Sequence, residues 1–295
     1  MTLEGIILVL LSAILHASWN FLSKCTEADP VSFMTEALIY SAICYLPLFI
    51  VLQFFMKYDM VYVICVVSSG ICCGFYFYAL GKAYLHGHVS VAYPVARSFP
   101  LLVLVWSGLF LGEVPSMTGG IGVFCVIAGC FILPLKKFCL GEEGFVLKHY
   151  LNRSCFWALL SAVFTSIYSM IDKYSTVRPA DGGLVVSIIQ KVNYVYIQNT
   201  ISLIVLLAIF AFTGFKIVQV RRKRVLWSGL VFLVSYALIM MAFVGNQTSY
   251  VVSLRQFSIV ITAVLSMWFI EKDFSVPRLV GVVIIFGGVI LIGIS

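Results

Sequence analysis

The sequence predicts an all-α integral membrane protein: ten transmembrane helices in two inverted five-helix repeats around a central cavity. Three observations carry this expectation. The first is composition, because 62% of the 295 residues are hydrophobic and only 11% charged, with a mean hydropathy of +1.09. No water-soluble packing would hide that much apolar surface. The second is segmentation. A span needs about 20 mostly apolar residues, and the chain offers ten such stretches, near 5–24, 31–55, 60–82, 90–112, 117–135, 154–173, 184–213, 225–245, 250–270 and 276–294.

The third is repetition. Residues 10–24 read LLSAILHASWNFLSK and residues 159–173 read LLSAVFTSIYSMIDK, superposing at an offset of 149. A second register, at an offset of 158, aligns Tyr78 with Tyr236, Gly87 with Gly245, Arg97 with Arg255, Phe99 with Phe257 and Glu113 with Glu271. The expected organisation is a first repeat over 1–137, a connecting loop over 138–153 and a second repeat over 154–295. Five spans per repeat is an odd number, so the second copy enters the membrane from the opposite side. Duplicated, inverted units are a signature of secondary transporters, whose halves rock about one central site. Thirteen of the nineteen Lys and Arg residues fall on the face of the odd-to-even connections. By the positive-inside rule that face is cytoplasmic and both termini lie outside.

The first stretch follows Met1-Thr2-Leu3-Glu4 with no cationic leader or small-residue cleavage site, so it is expected to stay as a span. Ser12, His16, Asn20 and Lys24 recur along it every four residues and share one slowly drifting face, beside Trp19. Buried polar groups in hydrocarbon turn to a partner or a cavity. His16 also titrates near neutral pH, which makes it the candidate for proton exchange. The second stretch qualifies on length and apolarity alone. In the third, Gly70, Gly74, Tyr78 and Lys82 share a face, and a G-x-x-x-G there fits close helix contact. The fourth carries Tyr93, Arg97 and Pro94, the proline freeing a carbonyl near the cavity. Gly122 and Gly129 of the fifth match Gly281 and Gly288 of the tenth at the same spacing, a glycine seam.

The sixth stretch repeats the first one's stripe as Ser161, Thr165, Ser169 and Lys173, with Tyr168 beside it. Gln190, Tyr194 and Gln198 follow at four-residue spacing in the seventh, and Tyr236 lies in the eighth. In the ninth, Ser258, Thr262 and Ser266 continue a polar path from Arg255 at helical spacing. Arg97 and Arg255 each sit seven residues after a plausible helix start, Ser90 and Thr248, hence about 10 Å into a core about 30 Å thick. Inversion would place them near opposite faces rather than at one depth. Each reads as a snorkelling anchor or as a planar fork for a carboxylate or phosphate. Glu113 and Glu271 are expected to pair with basic loop residues, and Asp172 with its neighbour Lys173.

Other features narrow the function. The run Arg221-Arg222-Lys223-Arg224 reads as an anchor beside anionic lipid rather than a nucleic-acid patch. Nine cysteines form no metal-type C-x-x-C pair, and the H-x-H of His86 and His88 has no carboxylate nearby, so no metal and no cofactor are expected. Neither a Walker or dinucleotide motif nor an intramembrane-hydrolase set such as H-E-x-x-H is present, which argues against an enzyme or an ATP-driven pump.

Several segments carry a family resemblance. The opening LLSAILHASWNFLSK, the stretch YPVARSFPLLVLVWSGLFLGE followed by GGIGVFCVIAGCFIL, and the echo SLRQFSIVITAVLSMWFIEKDFSVPRLVGVVIIFGGVILIG resemble the EamA family of the drug/metabolite transporter superfamily over nearly the whole chain. The resemblance implies ten helices in two inverted repeats around a cavity that passes small metabolites, amino acids among them. It also implies cytoplasmic termini, opposite to the charge count. Related small multidrug transporters carry a proton-exchanging glutamate in the first helix, where this chain has His16, Trp19 and Asn20.

The function expected is therefore a secondary transporter of an amino acid or related small, anionic solute, working by alternating access in the plasma membrane. Its substrate-binding set comprises His16, Trp19, Asn20, Tyr78, Tyr93, Arg97, Thr165, Tyr168, Gln190, Tyr194, Tyr236, Arg255, Ser258 and Thr262. Its partners are the small-molecule substrate, the lipid bilayer and protons as coupling ion, with no nucleic acid, in a monomer or homodimer. The alternative is a non-transporting membrane sensor or partner subunit with a vestigial cavity.

Overall fold

The computed structural model describes residues 1–24, 29–86, 95–135, 137, 152–177, 183–214, 222–271 and 275–295. The described helices are α1 (Leu3–Lys24), α2 (Pro30–Gln53), α3 (Met60–Leu85), α4 (Phe99–Leu111), α5 (Met117–Ile132), α6 (Arg153–Val177), α7 (Gly183–Thr213), α8 (Arg222–Ala242), α9 (Thr248–Arg255), α10 (Phe257–Ser266) and α11 (Val276–Gly293). Eight helical segments are long and apolar enough to span a membrane, α9 and α10 together forming one of them. The shorter apolar helices Val95–Leu111 and Met117–Ile132 bring the spans among the described residues to ten.

Local chemistry sets several boundaries. Asp29 accepts from the Ser32 amide at 2.8 Å with Pro30 in the first turn of α2. Asp59 accepts from Tyr62 N at 2.6 Å at the start of α3, and Ser116 from Gly119 N at 3.1 Å at the start of α5. Each side-chain oxygen satisfies an amide that the first helical turn leaves open. Gly112, with φ +65, closes α4 in the left-handed conformation that glycine adopts most easily.

The chain direction shows the inversion. The amide of Thr2, at the start of α1, donates to Asn246 Oδ1 at 2.8 Å. Lys173, near the end of α6, donates to the carbonyls of Phe243 and Asn246 at 2.6 and 2.5 Å. α1 therefore begins at the face where its copy, α6, ends. The packing obeys the same exchange: α1 against α8 is answered by α6 against α3, α3 against α7 by α8 against α2, and α4 against α6 by α1 against α9 and α10. The pairs α5–α11, α2–α7 and α4–α9 map onto themselves.

The α5–α11 pair shows how sequence creates such a contact. A Cβ at Gly122 would come 2.8 Å from the Gly288 carbonyl oxygen, and one at Gly288 would come 2.7 Å from the Gly122 oxygen. A Cβ at Gly129 would likewise meet the Gly281 oxygen at 2.9 Å. Glycine is required because backbone meets backbone.

Two spans are interrupted, each directly after its arginine. In the fourth, Ser98 N bonds Val95 O at 3.2 Å in a tightened turn before α4 begins. Pro100, in the first turn of α4, has no N–H to continue the ladder. In the ninth, Gln256 N bonds Ser253 O at 3.0 Å between α9 and α10. Ser98 and Gln256 are separated by the same offset of 158 that relates Arg97 to Arg255. Pro94, singled out in the sequence as the kink, lies outside the described residues.

Candidate functional site

Where α1, α3, α6, α7, α8 and the interrupted fourth and ninth spans converge, they leave two adjoining cavities of about 420 and 390 Å³ of empty space, open solvent included. His16, Tyr76, Tyr168 and Arg255 line both. Trp19, Gln198, Asn199, Ser235 and Tyr236 complete the polar wall of the first, and Arg97, Thr165 and Gln256 that of the second. Non-helical backbone at membrane depth is tolerated where it lines a cavity, and both interruptions lie here. They touch, since Gln256 Nε2 donates to the Arg97 carbonyl at 3.1 Å. This corrects the expectation that the arginines lie at different depths: the breaks bring both to the border of one cavity.

The hydrogen bonds determine the state of His16. Trp19 Nε1 donates to His16 Nδ1 at 3.2 Å, and Arg255 Nη2 lies 3.2 Å from the same nitrogen. Indole and guanidinium nitrogens only donate, so Nδ1 is the acceptor and the imidazole is neutral, with its proton on Nε2. Three donors on the cavity lining are buried without a partner among the described residues: His16 Nε2, Asn199 Nδ2 and Arg255 Nε. Arg255 also lies 5.1 Å over the Tyr236 ring, in cation–π range. Among the lining residues of the two cavities there are two arginines and no carboxylate.

One carboxylate stands just behind the wall. Asp172, with no exposed surface, accepts from Ser69 Oγ at 2.5 Å and Tyr194 Oη at 2.8 Å on one oxygen. Its other oxygen accepts from Gln198 Nε2 at 3.0 Å and from the Tyr236 hydroxyl. The sequence reading paired Asp172 with Lys173, but consecutive helical residues do not face each other. Lys173 turns instead to the Phe243 and Asn246 carbonyls and lies 3.6 Å from Glu113. Glu113 accepts from Thr248 N at 2.7 Å, at the start of α9.

Of the residues singled out in the sequence, His16, Trp19, Arg97, Thr165, Tyr168, Tyr236 and Arg255 border the cavities. Tyr194 is one layer back, on Asp172. Asn20 turns its amide to the His16 carbonyl at 2.8 Å. Tyr78 packs edge-on against Trp157, at 5.8 Å, and under Lys82. Gln190 offers its carbonyl to Tyr62. Ser258 and Thr262 are buried, with the Thr262 hydroxyl on the Ser258 carbonyl at 2.8 Å, so their polar path folds back on its own helix. Tyr93 and His88 lie outside the described residues, and His86 is exposed. Tyr76, Asn199, Gln256 and the Asp172 cage are the site elements that sequence reasoning passed over. The signal for Asp172 was its place four residues after Tyr168, on the same helix face.

Comparisons agree with this architecture. A solved structure described only as "Crystal structure of protein" superposes with a TM-score of 0.72 over 99% of this chain and 97% of its own, at 16% identity, a likeness of fold. No curated protein matches. The model of the EamA-like transporter family matches residues 3–134, the five spans from α1 to α5. On that match the first half of the chain, residues 3–134, is similar to the EamA-like transporter family.

Proposed function

We propose that the protein is a secondary transporter of a small anionic metabolite, an amino acid or related carboxylate, which it passes by alternating access through the central cavity. The observation that carries the reading is the polarity of that cavity. Three buried donors without partners, on His16, Asn199 and Arg255, line it together with a second arginine and no carboxylate. Buried donors in native structures are almost always satisfied, and an acceptor-rich anion is the ligand that satisfies all of them. The guanidinium fork suits a carboxylate bidentately.

The interrupted helices and the exchange-symmetric packing support alternation between two access states, as in carriers built from inverted repeats. The same reading places the protein in the plasma membrane, as a monomer or homodimer. The test is uptake into proteoliposomes of a radiolabelled panel of amino acids, monocarboxylates, dicarboxylates and phosphorylated metabolites, with neutral and cationic solutes as controls. Saturable flux confined to anionic or zwitterionic members is expected. Flux of cations alone overturns the charge assignment, and binding without flux favours a sensor or partner subunit.

A further inference from the structure

We infer that Asp172 is a proton-binding carboxylate that loads and unloads its proton from the central cavity through the Tyr236 hydroxyl. A carboxylate without exposed surface inside an apolar bundle is costly unless it is neutralised or fully hydrogen-bonded. Asp172 receives four donors and, among the described residues, no cation bridges to it. Three of the four are hydroxyls, which can both donate and accept. A cage built solely to hold a negative charge would use Arg, Lys or backbone N–H groups, which cannot accept. This one satisfies Asp172 in either state, because a protonated carboxyl can donate to a tyrosine oxygen that has turned its own proton away.

The cage also assigns the route. Ser69 Oγ accepts from Gln198 Nε2 at 2.6 Å while donating to Asp172, and Ser69 borders neither cavity. Of the two tyrosines, Tyr236 lines the cavity and Tyr194 does not. Loading is then a two-proton relay. A hydronium ion in the cavity gives a proton to the Tyr236 oxygen as the Tyr236 proton passes to Asp172. The net change is one proton moved from cavity to carboxylate, with water left behind and Tyr236 restored; unloading reverses both steps.

The neighbours on the packed elements are compatible with this assignment, and α4, which also packs on α6, carries no titratable residue. α3 presents Ser69 and the thiols of Cys72 and Cys73, α7 presents Tyr194 and Gln198, and α8 presents Tyr236. On α6 itself, Tyr168 lies one turn away and Lys173 faces Glu113. Beyond the Tyr236 ring stands Arg255. An anion on Arg255 would therefore face a negative Asp172 across one aromatic ring. Resting on the proposed function, this geometry couples the two ligands: anion and proton favour each other's binding, reciprocally, so both move in the same direction.

Infrared difference spectroscopy of the purified full chain, titrated with acid in the absence of any solute, tests the site. The expected result is the carbonyl band of a buried carboxylic acid that appears on acidification, is absent in Asp172→Asn and shifts in frequency in Asp172→Glu. After a pH jump the band should form at least tenfold more slowly in Tyr236→Phe. A titrating band that persists in Asp172→Asn, or no titrating band in the folded wild type, overturns the inference. Proteoliposomes with an entrapped pH dye, given phosphate, malate or glutamate, test the coupling: acidification with the carried anion is expected, and is lost in Asp172→Asn while anion exchange continues. If the band titrates but no anion moves, the transport reading fails and the proton site stands. If an anion moves and no carboxyl titrates, the proton site fails alone.

Discussion

Tyr78 and Tyr236 occupy equivalent positions in the two halves and have different surroundings. In the first half the ring packs against Trp157 beneath Lys82; in the second it lies under Arg255 and its hydroxyl holds Asp172. Helices α1 and α6 diverge in the same way: where α1 has His16, facing Arg255, the α6 stripe has Thr165, and α6 instead holds Asp172, off that stripe, in a polar cage. Helix directions, glycine contacts and the two breaks after Arg97 and Arg255 are nevertheless common to both. Duplication has thus kept the positions that determine how backbones meet, while the ionisable chemistry has been distributed unequally. Symmetry therefore governs the scaffold, and each half must be read separately for its site.

The scaffold side of this comparison predicts the largest effect. Gly122→Leu and Gly288→Leu each drive a side chain into the other's backbone, which cannot yield. Both should lose most folded protein, by 1–3 kcal/mol or more as overpacking does, and to a similar degree. Gly120→Leu and Gly287→Leu, where a Cβ meets nothing within 4 Å, should leave the yield unchanged. Detergent-solubilised monomer on size-exclusion chromatography decides it, and a sharp difference between Gly122 and Gly288 would break the reciprocity of their contact.

An intermediate effect is expected at the arginines. Lysine keeps the charge and loses the planar fork, so Arg97→Lys and Arg255→Lys should each weaken half-saturation for the carried anion tenfold to a hundredfold, about 1.5–3 kcal/mol. The Arg255 variant should suffer more, because that side chain also contacts His16 and the Tyr236 ring. Half-saturation measured from both faces of proteoliposomes sharpens the comparison; equal and normal values from both sides would make the arginines anchors. The smallest effect belongs to His16→Gln. The amide oxygen can still accept from Trp19 and Arg255, so the change should be worth about 0.5–1.5 kcal/mol and leave the pH profile of transport in place. A displaced profile would return the titrating role from Asp172 to His16.

Much of this architecture is legible in the residues themselves. Ten apolar stretches and two offsets suffice for the span number and the inversion, because hydrocarbon thickness and odd parity leave few alternatives. The breaks are harder to read. Pro100 marks the first, but nothing of the kind marks Gln256, whose interruption depends on the partner backbone that its side chain meets at Arg97. The depth of the arginines was misjudged for the same reason: counting from helix starts assumes straight, uninterrupted helices. Asp172 was lost to a neighbour in sequence, since charge adjacency suggests a pair where helical geometry turns consecutive side chains apart. Ser258 and Thr262 show the converse, a periodic polar row whose member at Thr262 is satisfied within its own helix.

The reciprocal glycine contact between α5 and α11 also bears on motion. If the two halves trade conformations, a packing pair that maps onto itself is the same contact before and after, whereas α1–α8 and α3–α6 must exchange geometries with each other. The α3–α6 contact is the more extensive of those two here, so in the opposite state α1–α8 would become the broader one. Gly122 and Gly288 then lie on the fulcrum of the movement, a place where close packing does not resist rocking because rocking does not separate it.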